Sequence, residues 1–87
     1  MVENRLEVSI PDNDLISFRE FEAGYPVQVR VTIPSKKEIE YKKGTLVEVV
    51  HSGHRASGKI VSEPIMVREK KDEGIKVLSI IIEKLRS

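Results

Sequence analysis

No cysteine occurs among the 87 residues, so disulfides, thiolate nucleophiles and Cys-ligated zinc or iron–sulfur sites are all excluded. Tryptophan is absent as well, and two tyrosines and two phenylalanines make up the whole aromatic complement. No apolar run exceeds Ile80-Ile81-Ile82, far short of the roughly 20 residues that a membrane-spanning helix needs. The first residues, Met1-Val2-Glu3-Asn4-Arg5-Leu6, carry charge where a secretory signal has its apolar segment. The expectation is a soluble, cytoplasmic protein with no membrane partner.

A strong excess of one charge is also lacking, the net value being +1. The distribution is uneven, however. Residues 1–41 hold 5 basic and 8 acidic side chains, and residues 42–87 hold 10 and 6, so the two halves carry −3 and +4. In a chain of this size both halves build one domain, 1–87, and the asymmetry predicts a basic face opposite an acidic one.

What the sequence does have is alternation. Leu6, Val8 and Ile10 alternate with Arg5, Glu7 and Ser9, which predicts a half-buried strand over 5–10. Val27, Val29, Val31 and Ile33 alternate with Gln28, Arg30 and Thr32 between two prolines, the clearest strand signal in the chain. Between them, Pro11-Asp12-Asn13-Asp14 offers N-caps for a short helix over 15–23 that ends at Gly24. A strand is the competing reading of that segment.

After Ser35-Lys36-Lys37 as a turn, the pattern predicts a short edge-like segment over 38–41, a turn at Lys42-Lys43-Gly44 and a strand over 45–51. A strand over 58–63 follows, bent or interrupted by Pro64, which cannot donate to a ladder, and resumed at Ile65-Met66-Val67. Residues 68–74 read as a solvated turn. The final stretch, 75–85, is apolar on both sides from Val77 to Ile82 and rich in isoleucine, which favours a strand covered above and below over a helix. Turns recurring at this spacing predict a mainly β protein: a small barrel of five to six strands with one short α-helix.

Between the strand at 45–51 and the next apolar run lies Ser52-Gly53-His54-Arg55-Ala56-Ser57-Gly58-Lys59. Read as a loop, it has glycines that free backbone N–H groups to face an anion, with Arg55 and Lys59 supplying charge and His54 beside them. A solvated hairpin loop has the same composition, and both readings stand. Lys36, Lys37, Lys42 and Lys43 fit either a phosphate-binding patch or ordinary protection of strand edges.

Three stretches taken together carry a family resemblance: Gly24-Tyr25-Pro26-Val27-Gln28-Val29-Arg30, Tyr41-Lys42-Lys43-Gly44-Thr45-Leu46-Val47-Glu48-Val49, and Gly58-Lys59-Ile60-Val61. In this arrangement the chain resembles the ASCH group of PUA-like domains, where a G-x-K-x-x-x-R segment joins the first helix to a strand. The resemblance implies a PUA-like barrel with a cleft for RNA or a nucleotide-like ligand. Gly24 and Arg30 match that segment, whereas Pro26 stands in place of its lysine and Thr45 in place of a turn aspartate. Because the family's proposed amidohydrolase-type chemistry leans on the lysine, the resemblance implies binding without catalysis.

The candidate ligand-binding residues are therefore Arg30 and Gln28 on the strand face, Arg55, Lys59 and His54 in the basic stretch, Lys43 in its turn, and Tyr25. Arginine grips phosphate or a base edge bidentately, and an exposed tyrosine stacks a base, although a tyrosine beside proline equally caps a core. His51 and His54 lack a third ligand at metal-binding spacing, and no nucleophile elbow or phosphate-loop motif occurs, so no metal, cofactor or enzymatic activity is expected. The expected function is a non-catalytic module binding RNA or another phosphate-bearing ligand. Its rival is a protein-interaction module that homodimerises or docks a partner through the apolar face of Val77–Ile82.

Overall fold

Alternation from Val27 to Ile33 becomes a strand whose valines and isoleucine are buried while Gln28, Arg30 and Thr32 face out. In the computed structural model, which describes residues 6–85, six strands form: β1 (Leu6–Ser9), β2 (Val27–Pro34), β3 (Leu46–His51), β4 (His54–Ile60), β5 (Ile65–Lys70) and β6 (Ile75–Lys84). One helix, α1 (Leu15–Glu22), lies between β1 and β2. The chain is mainly β, with 51% strand against 21% helix, and the strands make a nearly closed barrel. The sheet runs β1-β3-β4-β6-β2, with β5 also on β6. Only β1 and β3 pair in parallel.

The interior is filled by Val8, Ile10, Val47, Val49, Ile60, Leu78, Ile80 and Ile82, all at 0–1% exposure, with the four inward residues of β2 beside them. Each such side chain contributes roughly 1.5–3 kcal/mol relative to leaving it exposed, which is why the period-two pattern decides the register. Asp14 caps α1 by accepting from the Ser17 amide at 3.2 Å, and Gly24, at φ 97°, turns the chain back toward β2. The helix buries only Phe18 and Phe21. Leu15 and Ile16 remain exposed.

Several expectations need correction. The stretch 52–59 is not a loop: only Ser52-Gly53 forms the turn, and residues 54–60 are β4. Both turn residues have positive φ, 45° and 83°, as a two-residue type I′ hairpin requires. The strand hides in the sequence because its inward positions are the small residues Ala56 and Gly58, which leave room for the Phe21 ring. The edge-like segment at 38–41 is instead a 3-10 helix, Ser35–Glu40, held by the Ser35 amide donating to the Gly74 carbonyl at 2.7 Å. β4 stops at Ile60 rather than Glu63, and β5 continues through Lys70 before a 3-10 turn at Lys71–Glu73. Pro64 does interrupt the run, since β4 and β5 line up along the same side of β6 with a break between them. The first strand ends at Ser9 rather than Ile10, and Arg5 lies outside the described residues.

β6 is a strand as expected, but it is not equally covered on its two faces. Leu78, Ile80 and Ile82 are fully buried, whereas Ile81 on the other face is 36% exposed.

The tightest packing is at Gly58. A Cβ there would lie 3.1 Å from the Glu83 carbonyl oxygen and 3.2 Å from the Phe21 ring, and neither the backbone nor a fully buried ring yields cheaply. Gly58→Ala is therefore expected to lower stability by about 1–3 kcal/mol in urea denaturation. The same substitution in a Phe21→Leu background should cost clearly less. Equal costs in both backgrounds would show that the ring does not set the limit.

Candidate phosphate-binding face

The register separates the candidate residues into three places. At one end of the barrel, Lys59 lies opposite Leu46 and the Gly44 amide donates to the Ile60 carbonyl at 2.7 Å. This brings Lys43 and Lys59 to the same end, the one where Tyr25, 63% exposed, leads into β2. At the other end of the β3–β4 hairpin stand His54 and Arg55. Gln28 and Arg30 occupy the outer face of β2.

Arg30 and Arg55 do not share a cleft. Val27 and Ile60 both pair with Ile82, so the two arginines lie in opposite directions from one level, three and five residues away. That is about 25 Å along the strand direction. Arg55 is also already engaged, since its guanidinium donates to Glu48 and reaches Glu7 at 3.4 Å. These contacts, Glu48 first, raise its pKa above the usual arginine value, and its charge is compensated by two carboxylates.

His51 is buried with its ring stacked on Phe18, centroids 4.3 Å apart. Its Nδ1 lies 3.2 Å from the Ile10 carbonyl oxygen. A carbonyl can only accept, so Nδ1 carries the proton in this contact. His54, opposite His51, stands 6.0 Å from the same phenylalanine. Glu48 projects from the other face of β3 and is taken by Arg55, so it does not orient His51. Among the described residues no group of three or more His, Asp or Glu side chains is placed to hold a metal ion.

The outer face of β2, β6 and β5 is different. Residues directly opposite one another point to the same side, and the rows there read Arg30–Ser79–Ile65, Thr32–Val77–Arg68 and Pro34–Ile75–Lys70. Gln28 donates through Nε2 to the Ser79 hydroxyl at 2.6 Å, covering that small residue beside Arg30. None of these three rows contains a carboxylate. Lys70 touches Glu73 loosely at 3.8 Å, whereas Arg30 and Arg68 make no ion pair among the described residues. The one acid in β5, Glu69, points to the opposite side, toward Lys76 at 3.9 Å.

Arg68 was not among the candidates from sequence. The signal was present, because Arg68-Glu69-Lys70 alternates cation, acid, cation, and a strand puts both cations on one face. Reading the segment as a turn concealed it. Lys42 and Lys43 likewise do not join the hairpin tip, since their turn lies at the opposite end of β3.

Comparison with known proteins gave no matching family model, no matching curated protein and no matching solved structure. No helix among the described residues is long and apolar enough to cross a membrane.

Two groups titrate upward in a way that reports folding. Burial, and then the neighbouring Glu40 charge, raises the Tyr41 hydroxyl above 10.0. The hydrogen bond from Lys76 to Glu38, helped by the charges of Glu38 and Glu69 and opposed by desolvation, raises the ammonium above 10.5. A pKa raised in the folded state means stability that is full below the unfolded value and lost as pH climbs through the folded one. Stability should accordingly fall as pH rises above 10, and Tyr41→Phe should flatten part of that fall while leaving the Lys76 share. Urea midpoints measured through the alkaline range check this; identical pH profiles for the two proteins would contradict it.

Proposed function

We propose that this protein is a non-catalytic binding module for RNA or another phosphate-bearing ligand, and that the outer face of β2, β6 and β5 is where it binds. The observation that carries the reading is a set of three neighbouring rows without a carboxylate: Arg30 and Arg68 flank Ser79 and Val77, unpaired with any acid of the described residues. Phosphate attraction needs uncompensated charge, since a guanidinium already held by two carboxylates gains little from a third anion. Arg30 and Gln28 keep their place in the site, Arg68 joins them, and Arg55 is left to its acids.

The likeness to ASCH domains supports the same ligand class, because it rests in part on Arg30 and on the strand that carries it. Pro26, where that family has a lysine, favours binding over turnover. So does the setting of His51, whose ring is spent on Phe18 and the Ile10 carbonyl.

Fluorescence anisotropy with a labelled single-stranded RNA oligonucleotide tests the proposal. Binding should weaken steeply with salt, and Arg30→Ala and Arg68→Ala should each lower affinity and reduce the log–log salt slope by about 0.7. Arg55→Ala should leave both nearly unchanged. If the Arg30→Ala/Arg68→Ala double variant binds as the wild type does, this face is not the site.

A further inference from the structure

The outward side of β6 changes character along its length. At the levels of Ile75 and Val77 its β5 neighbours are Lys70 and Arg68, and at Ser79 it stands between Arg30 and Ile65. The next outward residue is Ile81, 36% exposed, with Gln28 opposite on β2. Ile65, 67% exposed, and Ile81 are thus diagonal neighbours on one face, about 7–8 Å apart. Together they make an apolar step directly beside the arginines. The backbone fixes that step in place: the Val61 amide donates to the Ile81 carbonyl at 2.8 Å, and the Ser62 hydroxyl accepts from the Ile81 amide at 3.0 Å. Two acids stand past it on the side away from Arg68. Glu83 lies two residues further along the outward side of β6, and exposed Glu63 lies two residues before Ile65. Neither makes an ion pair among the described residues, so their charge turns the anionic part of a ligand toward the arginine end.

Phosphate alone would engage the arginines and leave the apolar step in water. A nucleotide chain has a use for both, because each charged phosphate is joined to a flat base whose faces gain by leaving water. In a duplex those faces are already stacked inside the helix, and only an unpaired base can lay one against a side chain. We propose that the ligand of this face is single-stranded RNA, its phosphates at Arg30 and Arg68 and an unpaired base lying on Ile65 and Ile81. The proposal rests on the phosphate reading of the face and adds the part of the ligand that reading leaves open. The stretch free of carboxylates, from the level of Ile75 to that of Ile81, is about 20 Å long, room for a chain and not only for a lone phosphate.

Fluorescence anisotropy of the full chain with one labelled RNA oligonucleotide, first alone and then annealed to its complement, separates the two forms. The single strand should bind at least about fivefold more tightly than the duplex at the same salt, although the duplex carries more charge. Ile65→Thr and Ile81→Thr should each weaken single-strand binding by about fivefold. The log–log salt slope should stay as it is, since neither substitution removes a charge. Inorganic polyphosphate, followed by calorimetry, should bind both variants as it binds the wild type, which also shows that they fold. A duplex bound as tightly as the single strand overturns the proposal, and so do isoleucine variants that bind the single strand like the wild type. If polyphosphate binding then still falls in the Arg30→Ala/Arg68→Ala variant, the base contact fails alone and the phosphate reading survives. If that double variant binds RNA and polyphosphate unchanged, both readings fail.

Discussion

Everything in this barrel hangs on one strand. β6 pairs along its length with β2 on one side and with β5 and then β4 on the other, so ten residues supply the partners for three strands. That demand explains its composition. Leu78, Ile80 and Ile82 fill the interior at 0% exposure, while Val77, Ser79 and Ile81 face outward between flanking strands and are moderately apolar rather than charged. A charged residue at the centre of that outer row would sit among backbone and side chains on both sides, where an unpaired charge is costly. Ser79, reached by the Gln28 amide, is the polar group the position tolerates.

The placement of cations follows from the same constraint. Since the middle strand of the outer face cannot carry charge cheaply, its neighbours do, Arg30 and Thr32 on β2 and Arg68 and Lys70 on β5. Glu83 stands at the far end of the outward side of β6, opposite Lys59, while Glu48 and Glu7 surround Arg55 on the β1–β3–β4 side, and Glu38 and Glu69 surround Lys76. The charge asymmetry between the two halves of the chain is therefore resolved by pairing rather than by a simple split. Arg55, from the basic half, is held first by Glu48 of the same half and then by Glu7 of the acidic half, whereas Arg30, from the acidic half, has no acidic partner among the described residues. Net charge by segment is thus a poor guide to surface potential, because the sheet register decides which charges meet.

Where hydrophobic alternation was strong, the fold was legible before the structure. β2 and β6 read correctly from Val27–Ile33 and from the isoleucine-rich C-terminal stretch, and the interruption at Pro64 followed from a missing donor. Three signals failed for physical reasons. β4 alternates small residues inward because Phe21 occupies the space that larger ones would take, so it shows no hydrophobic period. β5 is exposed along its apolar residues, Ile65–Val67, and charged from Arg68 to Lys70, and a charged, exposed stretch is the profile of a turn. The 3-10 helix at Ser35–Glu40 is fixed by contacts distant in sequence, the Gly74 carbonyl and Lys76, that no local window contains. The candidate site was half visible for the same reason. Gln28 and Arg30 lay on the strand whose period was clear, and Arg68 lay on the one whose period was broken by a bulge.

The bulge also links the two properties of this face. Were Val67 paired with Val77 in regular alternation, Arg68 would fall opposite Lys76 on the inner side with Met66, where two cations would face each other. Because Val67 is left out of the ladder, that arginine stays on the outer face opposite Val77 and Glu69 comes opposite Lys76. The bulge also leaves Met66 and Val67 exposed at an edge that no strand of the described chain covers. The same local departure from regular pairing therefore both supplies the second guanidinium of the cationic face and opens the apolar edge beside it, so a change at Val67 would act on both together.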